Sequence, residues 1–178
     1  MSVRHEAVLA YLVVTRRGRT WRSPAALDAA IARRARGAAI PPRPRQGVAV
    51  TRTEDGGWPV VRLVPPRPRG TVVALHGGGY VFGPEAQHWT FWRSIAAASG
   101  GSGTTTVRPL APDGTAARTV PHVAGIVRGL ADEGPTALLG DSAGGGMAFA
   151  AAQLLAAEGV RPPLLLSCLL YTSDAADE

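Results

Sequence analysis

The stretch from Thr136 to Glu158 constrains the fold more than any other part of this chain of 178 residues. A short apolar run, Thr136 to Leu139, is followed at once by Gly140-Asp141-Ser142-Ala143-Gly144 and then by a long run of small apolar residues. This order predicts a buried strand, a sharp turn and a helix that begins at Ala143. A turn of that kind holds Ser142 at the N-terminus of the helix.

A serine in this position is suited to act as a nucleophile. Its hydroxyl is reactive only when it is exposed and a base takes its proton. Glycines two residues before and after it relieve crowding in a strained strand-to-helix turn, and the helix N-terminus favours developing negative charge. An ordinary glycine turn at the start of a helix is the alternative interpretation, but the flanking strand and helix favour a nucleophile at Ser142.

A second glycine motif follows another predicted strand. The run Thr71 to Leu75 leads directly into His76-Gly77-Gly78-Gly79-Tyr80. Glycines let a backbone turn its N–H groups toward an oxygen that gains negative charge, although a glycine triplet alone is often a flexible turn. We predict that such an oxyanion hole is formed by the N–H groups of Gly77, Gly78 and Ala143. We interpret His76 as a residue that braces the loop by hydrogen bonding and not as a catalytic base.

Two further polar residues are interpreted as structural. His122 lies upstream of Ser142, within a predicted helix. Asp141 is adjacent to the serine and points the wrong way to orient a base. We therefore expect Asp141 to hold the elbow in place.

The remaining hydrophobic patterns alternate between the periods of strands and helices. Further strands are predicted at Gly47–Thr53, Trp58–Val64, Gly103–Val107 and from Leu164, and further helices at 1–18, Ala25–Arg36, Gln87–Ser99 and Thr119–Glu133. The first two of these strands form a hairpin across Glu54-Asp55-Gly56-Gly57. The alternation predicts an α/β fold, a mostly parallel sheet with an antiparallel first hairpin and helices on both faces.

Together with the segment Arg108-Pro109-Leu110-Ala111-Pro112, both motifs make the sequence resemble the hormone-sensitive-lipase-like family of α/β hydrolases, in its bacterial carboxylesterase branch. The resemblance implies the N-terminal part of an α/β-hydrolase fold with an N-terminal helical cap. It also implies that a small-molecule carboxylic ester is hydrolysed through an acyl-serine, with no metal or cofactor. We accordingly divide the chain into a cap and Pro/Arg-rich linker at 1–45, an incomplete hydrolase core at 46–167 and a tail at 168–178.

The sequence departs from this family after Ser142. In this fold the acid and the histidine of the catalytic triad follow the serine along the chain, whereas no histidine follows Ser142 here. We therefore expect a truncated and inactive fragment of an esterase. A non-catalytic ligand-binding protein on the same scaffold is the alternative. The stretch from Cys168 to Glu178 resembles translated adapter sequence from DNA library preparation, and a natural irregular tail is the other interpretation.

Composition argues against several other classes of protein. The formal net charge is +6 and all 19 basic residues are arginines, many of them before residue 46. Because few aromatic residues and no nucleic-acid-binding motif accompany them, we expect a solvated basic face and no nucleic-acid partner. The lone Cys168 fits a cytoplasmic location, and no stretch reaches the roughly 20 apolar residues of a membrane span. The oligomeric state is left open.

Overall fold

The computed structural model of the protein describes residues 20–34, 48–160 and 164–168. The chain divides into two compact units, residues 1–36 and residues 37–178. The predicted helix at 1–18, the Pro/Arg-rich linker and the tail after Cys168 lie outside the described residues. The division into a cap, a core and a tail therefore stays a prediction.

One helix of the first unit is described, α1 (Pro24–Arg33). It begins at Pro24 because Ser23 caps it: the Ser23 Oγ accepts the N–H of Ala26 at 3.2 Å. A proline in the first turn suits this position, where its missing N–H has no partner to lose. The predicted helix in this segment is confirmed, but it ends at Arg33 instead of Arg36 because Arg34 leaves the helical conformation, with ψ 136°.

The second unit alternates strands and helices. Its strands are β1 (Ala49–Asp55), β2 (Trp58–Val64), β3 (Thr71–Leu75), β4 (Ser102–Thr106), β5 (Thr136–Asp141) and β6 (Leu164–Cys168). Its helices are α2 (Ala86–Ser99), α3 (Ala116–Glu133) and α4 (Ala143–Ala157). All the elements predicted for this unit are present, with small shifts at their ends. Among the described residues, no helix has both the length and the apolar character to cross a membrane.

The six strands form one sheet in the order β1-β2-β4-β3-β5-β6. β1 and β2 form the predicted antiparallel hairpin, and β4, β3, β5 and β6 pair parallel with one another in that order. The prediction of a mostly parallel sheet with an antiparallel first hairpin is confirmed, and β2 also pairs antiparallel with β4. Leu75 at the end of β3 lies opposite Gly140 in β5. Both glycine motifs therefore leave the sheet side by side, at the same edge.

Helices cover both faces of the sheet, as predicted. On one face α3 and α4 pack against β3 and β5, and the core includes Val73, Leu75, Val123, Val127, Leu138, Met147 and Ala148. On the other face α2 packs Trp89 and Trp92 against Val61, Ala74 and Leu139. Successive side chains of a strand point to opposite faces, so Leu138 and Leu139 enter different cores.

His122 of α3 packs against the hairpin of β1 and β2. Its ring centroid lies 3.8 Å from that of the buried Trp58, and its Nε2 lies 3.6 Å from Asp55 Oδ2. These contacts support the structural interpretation of His122, which joins the hairpin to the helix layer.

Candidate active site

Ser142 lies between the end of β5 and the first residue of α4, with φ 49° and ψ −120°. A positive φ in a residue with a Cβ is strained by roughly 1–3 kcal/mol and persists only where the surroundings hold it. Among the described non-glycine residues, the other one with a positive φ is Tyr80, at 64°. Both strained residues thus belong to the two motifs identified in the sequence.

Gly140 and Gly144 are glycines because neighbouring backbone passes too close for a side chain. A Cβ on Gly144 would meet the carbonyl oxygen of Leu75 and lie 2.8 Å from that of His76. A Cβ on Gly140 would meet the backbone of Gly144. The first turn of α4 is therefore packed directly on the end of β3, where the other motif begins.

Gly77 is the point of contact between the loop and the elbow. Its N–H donates to Asp141 Oδ2 at 3.0 Å. A Cβ on Gly77 would meet the Asp141 carboxylate and lie 3.3 Å from the Cβ of Ser142. The assignment of the Gly77 N–H to an oxyanion hole is therefore corrected, because this group is committed to a carboxylate. The same contact agrees with the holding role expected of Asp141.

Three other N–H groups remain open beside Ser142. Within the part of the chain that the structure describes, no hydrogen-bond acceptor is found for those of Gly78, Gly79 and Ala143. The φ angles of Gly78 and Gly79 are 102° and 59°. Ala143 opens α4, and the first N–H groups of a helix have no partner within it. Gly79 was missed from the sequence, although it is the third glycine of the motif.

His76 is fully buried, and both of its ring nitrogens are engaged. Nδ1 lies 2.7 Å from the carbonyl oxygen of Gly77, and Nε2 lies 2.8 Å from an Arg108 Nη1. Because arginine can only donate, Nε2 must accept and Nδ1 must carry the proton that it donates to Gly77. This arrangement supports the bracing role of His76. It leaves neither nitrogen free to serve Ser142 as a base.

The bond from His76 also sets the direction of the Gly78 N–H. The Gly77 carbonyl and the Gly78 N–H belong to one planar trans peptide and point in opposite directions. His76 holds the carbonyl on the buried side of the loop. The Gly78 N–H consequently points away from His76.

Arg108 holds His76 by its ring and by its backbone. Besides the contact with Nε2, its Nη2 donates to the His76 carbonyl oxygen at 3.2 Å. Burial, and after it the charge of Arg108, lowers the pKa of His76 from 6.5 to about 3. Burial also lowers the pKa of Arg108 to about 10, so the guanidinium keeps its charge at neutral pH. Arg108 belongs to the segment Arg108–Pro112, but nothing in the sequence assigns it to this loop.

His88 of α2 joins the cluster and was missed from the sequence. Its Nε2 lies 3.4 Å from Asp141 Oδ2, and its Nδ1 accepts the N–H of Glu85 at 2.9 Å. Its ring centroid lies 6.2 Å from that of His76. The spacing of Glu85 and His88 indicates a helix cap, but nothing in the sequence relates His88 to Asp141.

A cavity of about 330 Å³ opens beside the loop. Its wall contains Tyr80 and Arg108 from the loop side and Met147 from α4, together with the smaller residues Ala111, Gly114, Ala116, Gly146 and Ala150. Mostly apolar walls with a few polar groups are typical of small-molecule sites. The cavity therefore has room for an apolar part of a ligand.

Comparison with known proteins gives a consistent result. The sequence profile of a family described as having the alpha/beta hydrolase fold matches residues 72–178. A triacylglycerol lipase of Mycobacterium tuberculosis is 36% identical over 118 residues, which cover 64% of this chain and 27% of the lipase.

Solved structures agree with the sequence comparison. An esterase from the bacterial hormone-sensitive lipase family matches with a TM-score of 0.58 and 30% identity, over 71% of this chain and 46% of that esterase. An esterase/lipase from an uncultured bacterium matches with a TM-score of 0.62 and 25% identity, over 80% of this chain and 49% of that protein. The chain thus spans about half the length of these solved relatives, and a smaller share of the lipase.

The close packing at Gly144 gives a first prediction. We expect Gly144→Ala to lower the free energy of unfolding by about 1–3 kcal/mol, because the new Cβ meets fixed backbone at Leu75. Gly129→Ala in α3 is the control, since its Cβ would meet nothing within 4 Å. That change should raise the free energy by about 0.5–1 kcal/mol, because alanine favours a helix. Urea unfolding followed by circular dichroism measures both, and shifts of the same sign would contradict the packing.

The pKa of His76 gives a second prediction. The unfolded chain binds a proton at His76 below pH about 6.5, while the folded protein resists it until about 3. The stability due to neutral His76 is therefore complete above pH 6.5 and is lost as the pH falls toward 3. Between these values we expect wild type to lose up to about 1.4 kcal/mol per pH unit more than His76→Asn, which keeps a donor but does not titrate. Urea unfolding across this range tests it, and equal slopes would refute it.

Proposed function

Because the chain belongs to the family of the alpha/beta hydrolase fold, we propose that it is the nucleophile-bearing part of a carboxylic ester hydrolase of the esterase/lipase type. Ser142 is the proposed nucleophile. The proposed oxyanion hole consists of the N–H groups of Gly78, Gly79 and Ala143. The observation that carries the proposal is the strained conformation of Ser142 beside these three open N–H groups.

The proposed reaction is acyl transfer to serine and then to water. Ser142 Oγ attacks the ester carbonyl carbon while a base takes its proton, and the carbonyl oxygen becomes an oxyanion. The bond to the alcohol oxygen then breaks as that oxygen receives the proton, and water releases the acid from the acyl-serine by the same steps. This chemistry needs a small-molecule ester and no metal or cofactor. Removal of one oxyanion donor lowers kcat by about 10²–10³-fold.

The base of this reaction has to come from a histidine beyond those described. In this fold it follows the serine along the chain. His76 and His88 each have both ring nitrogens engaged, and His122 lies against the hairpin of β1 and β2. The activity is therefore proposed for the whole protein. The proposal is supported by the relatives, which are named as a lipase and an esterase.

A ligand-binding protein without catalysis is the second candidate. One observation favours it: an apolar cavity lies beside the loop. Such a protein would bind an apolar ligand and leave Ser142 unreactive.

Hydrolysis by the complete gene product distinguishes the two candidates. We expect turnover of p-nitrophenyl butyrate, and a loss of about 10⁴-fold or more in kcat for Ser142→Ala, because no other group can form the acyl intermediate. Ser94→Ala, an exposed serine of α2, is the matched control and should keep its activity. Ester turnover that persists in Ser142→Ala would overturn the assignment of the nucleophile. Absence of turnover in wild type would favour the binding protein.

The 178-residue chain by itself should behave differently. Without a base, Ser142 keeps its proton, so we expect p-nitrophenyl butyrate turnover close to that of Ser142→Ala in the same chain. The oxyanion donors leave at most a small residual rate. Stopped assays with equal amounts of both proteins make the comparison. A clear rate that depends on Ser142 would show that a residue of this chain serves as the base.

A further inference from the structure

We propose that His88 is a positioning residue for the oxyanion loop, acting through Asp141 on the N–H of Gly77. The proposal rests on the proposed function, since the loop matters because of the N–H groups that it presents. The contacts form a chain across three elements: His88 in α2, Asp141 at the end of β5 and Gly77 after β3.

The contacts of His88 determine its tautomer. Nδ1 faces the backbone N–H of Glu85 at 2.9 Å, so it must accept and cannot carry a proton. The proton of a neutral ring is then on Nε2, which lies 3.4 Å from Asp141 Oδ2. His88 thus turns a donor toward the carboxylate, whereas His76, the other histidine of the cluster, carries its proton on Nδ1.

One carboxylate oxygen receives both groups. Asp141 Oδ2 accepts the N–H of Gly77 and faces Nε2 of His88. The side chains of His88 and Asp141 are 14% and 25% exposed, so the attraction between them is only partly screened by water. His88 therefore opposes rotation of the Asp141 carboxylate away from Gly77.

Gly77 is held at both of its polar groups as a result. Its carbonyl accepts from His76 and its N–H donates to Asp141. The next N–H along the chain is that of Gly78, a proposed oxyanion donor. If the Asp141 carboxylate moves away, Gly77 loses the hydrogen bond of its N–H. The Gly78 N–H can then change its direction. Errors of about 1 Å in such groups cost on the order of 10²-fold in rate.

The two ring nitrogens of His88 have separable tasks. Nδ1 belongs to the helix cap with Glu85, whereas Nε2 belongs to the contact with Asp141. Asparagine places an acceptor near the position of Nδ1 but is too short to reach Asp141. Glutamine places an N–H near the position of Nε2. His88→Asn therefore keeps the cap and loses the relay, and His88→Gln does the reverse.

The experiment uses the complete gene product and p-nitrophenyl butyrate. For His88→Asn we expect kcat to fall by about 10-fold or more with KM nearly unchanged and Tm close to wild type. For His88→Gln we expect kcat within about 3-fold of wild type although Tm falls. Thr90→Ala, an exposed position of the same helix, is the control. A kcat that follows Tm across the variants would overturn the proposal and leave His88 a structural cap.

Hydrogen exchange of the Gly77 amide supplies a readout that does not need activity. We expect exchange about 10-fold faster in His88→Asn than in wild type, and near wild type in His88→Gln. If wild type hydrolyses no ester, the proposed function fails, while the exchange still tests the relay. Unchanged exchange in His88→Asn would overturn the relay even in an active enzyme. Should His88→Asn fail to fold, ¹⁵N shifts of wild-type His88 decide, and a proton on Nδ1 would overturn the proposal.

Discussion

The arrangement of the candidate site depends on one residue, Gly77, whose N–H and carbonyl are both hydrogen-bonded. β3 and β5 are neighbours in the sheet, and Leu75 lies opposite Gly140. The two motifs therefore meet as soon as they leave the sheet. At that point only a glycine fits, because any Cβ on Gly77 would press on Asp141 and Ser142. The N–H of Gly77 donates to Asp141 of the elbow, and its carbonyl oxygen accepts from the buried His76 of its own loop.

The buried positive charge of Arg108 stabilises His76, which lies on the buried side of the loop. Arg108 is 3% exposed, and among the described residues no carboxylate lies within salt-bridge distance of it. Removing a charge from water is costly unless hydrogen bonds replace the water. The ring and the carbonyl of His76 supply two of them. A neutral histidine is therefore required at this position, and its low pKa is a consequence of the same burial.

The parts of the fold that depend on local pattern could be predicted from the sequence. β3, β5 and α4 follow from apolar periodicity, and the elbow follows from glycines at fixed spacing around Ser142. The pairing of β2 with β4 could not be predicted, because hydrophobic alternation marks a strand but does not name its neighbour. The antiparallel pairing between β2 and β4 is therefore absent from the predictions.

The candidate site, too, could be predicted only where it depends on local sequence pattern. The glycines of the loop indicate a backbone that turns its N–H groups. Which N–H faces outward depends on which of the other N–H groups already have a hydrogen-bond acceptor. Gly77 was misassigned because the acceptor of its N–H, Asp141, is distant in sequence and adjacent in space. His88 was missed because Asp141, which its Nε2 faces, is likewise distant in sequence and adjacent in space. Contacts between elements carry this information, and local patterns do not contain it.

The backbone at Ser142 bears on the choice between an enzyme and a binding protein. Its φ of 49° costs roughly 1–3 kcal/mol, a substantial part of the stability of a small domain. Binding of an apolar ligand in the cavity does not need this conformation, since Ser142 is not part of the cavity wall. An attack on a carbonyl beside open N–H groups does need it, because the hydroxyl must stand clear of the strand and face the oxyanion donors. The strain thus favours the catalytic proposal over the binding one.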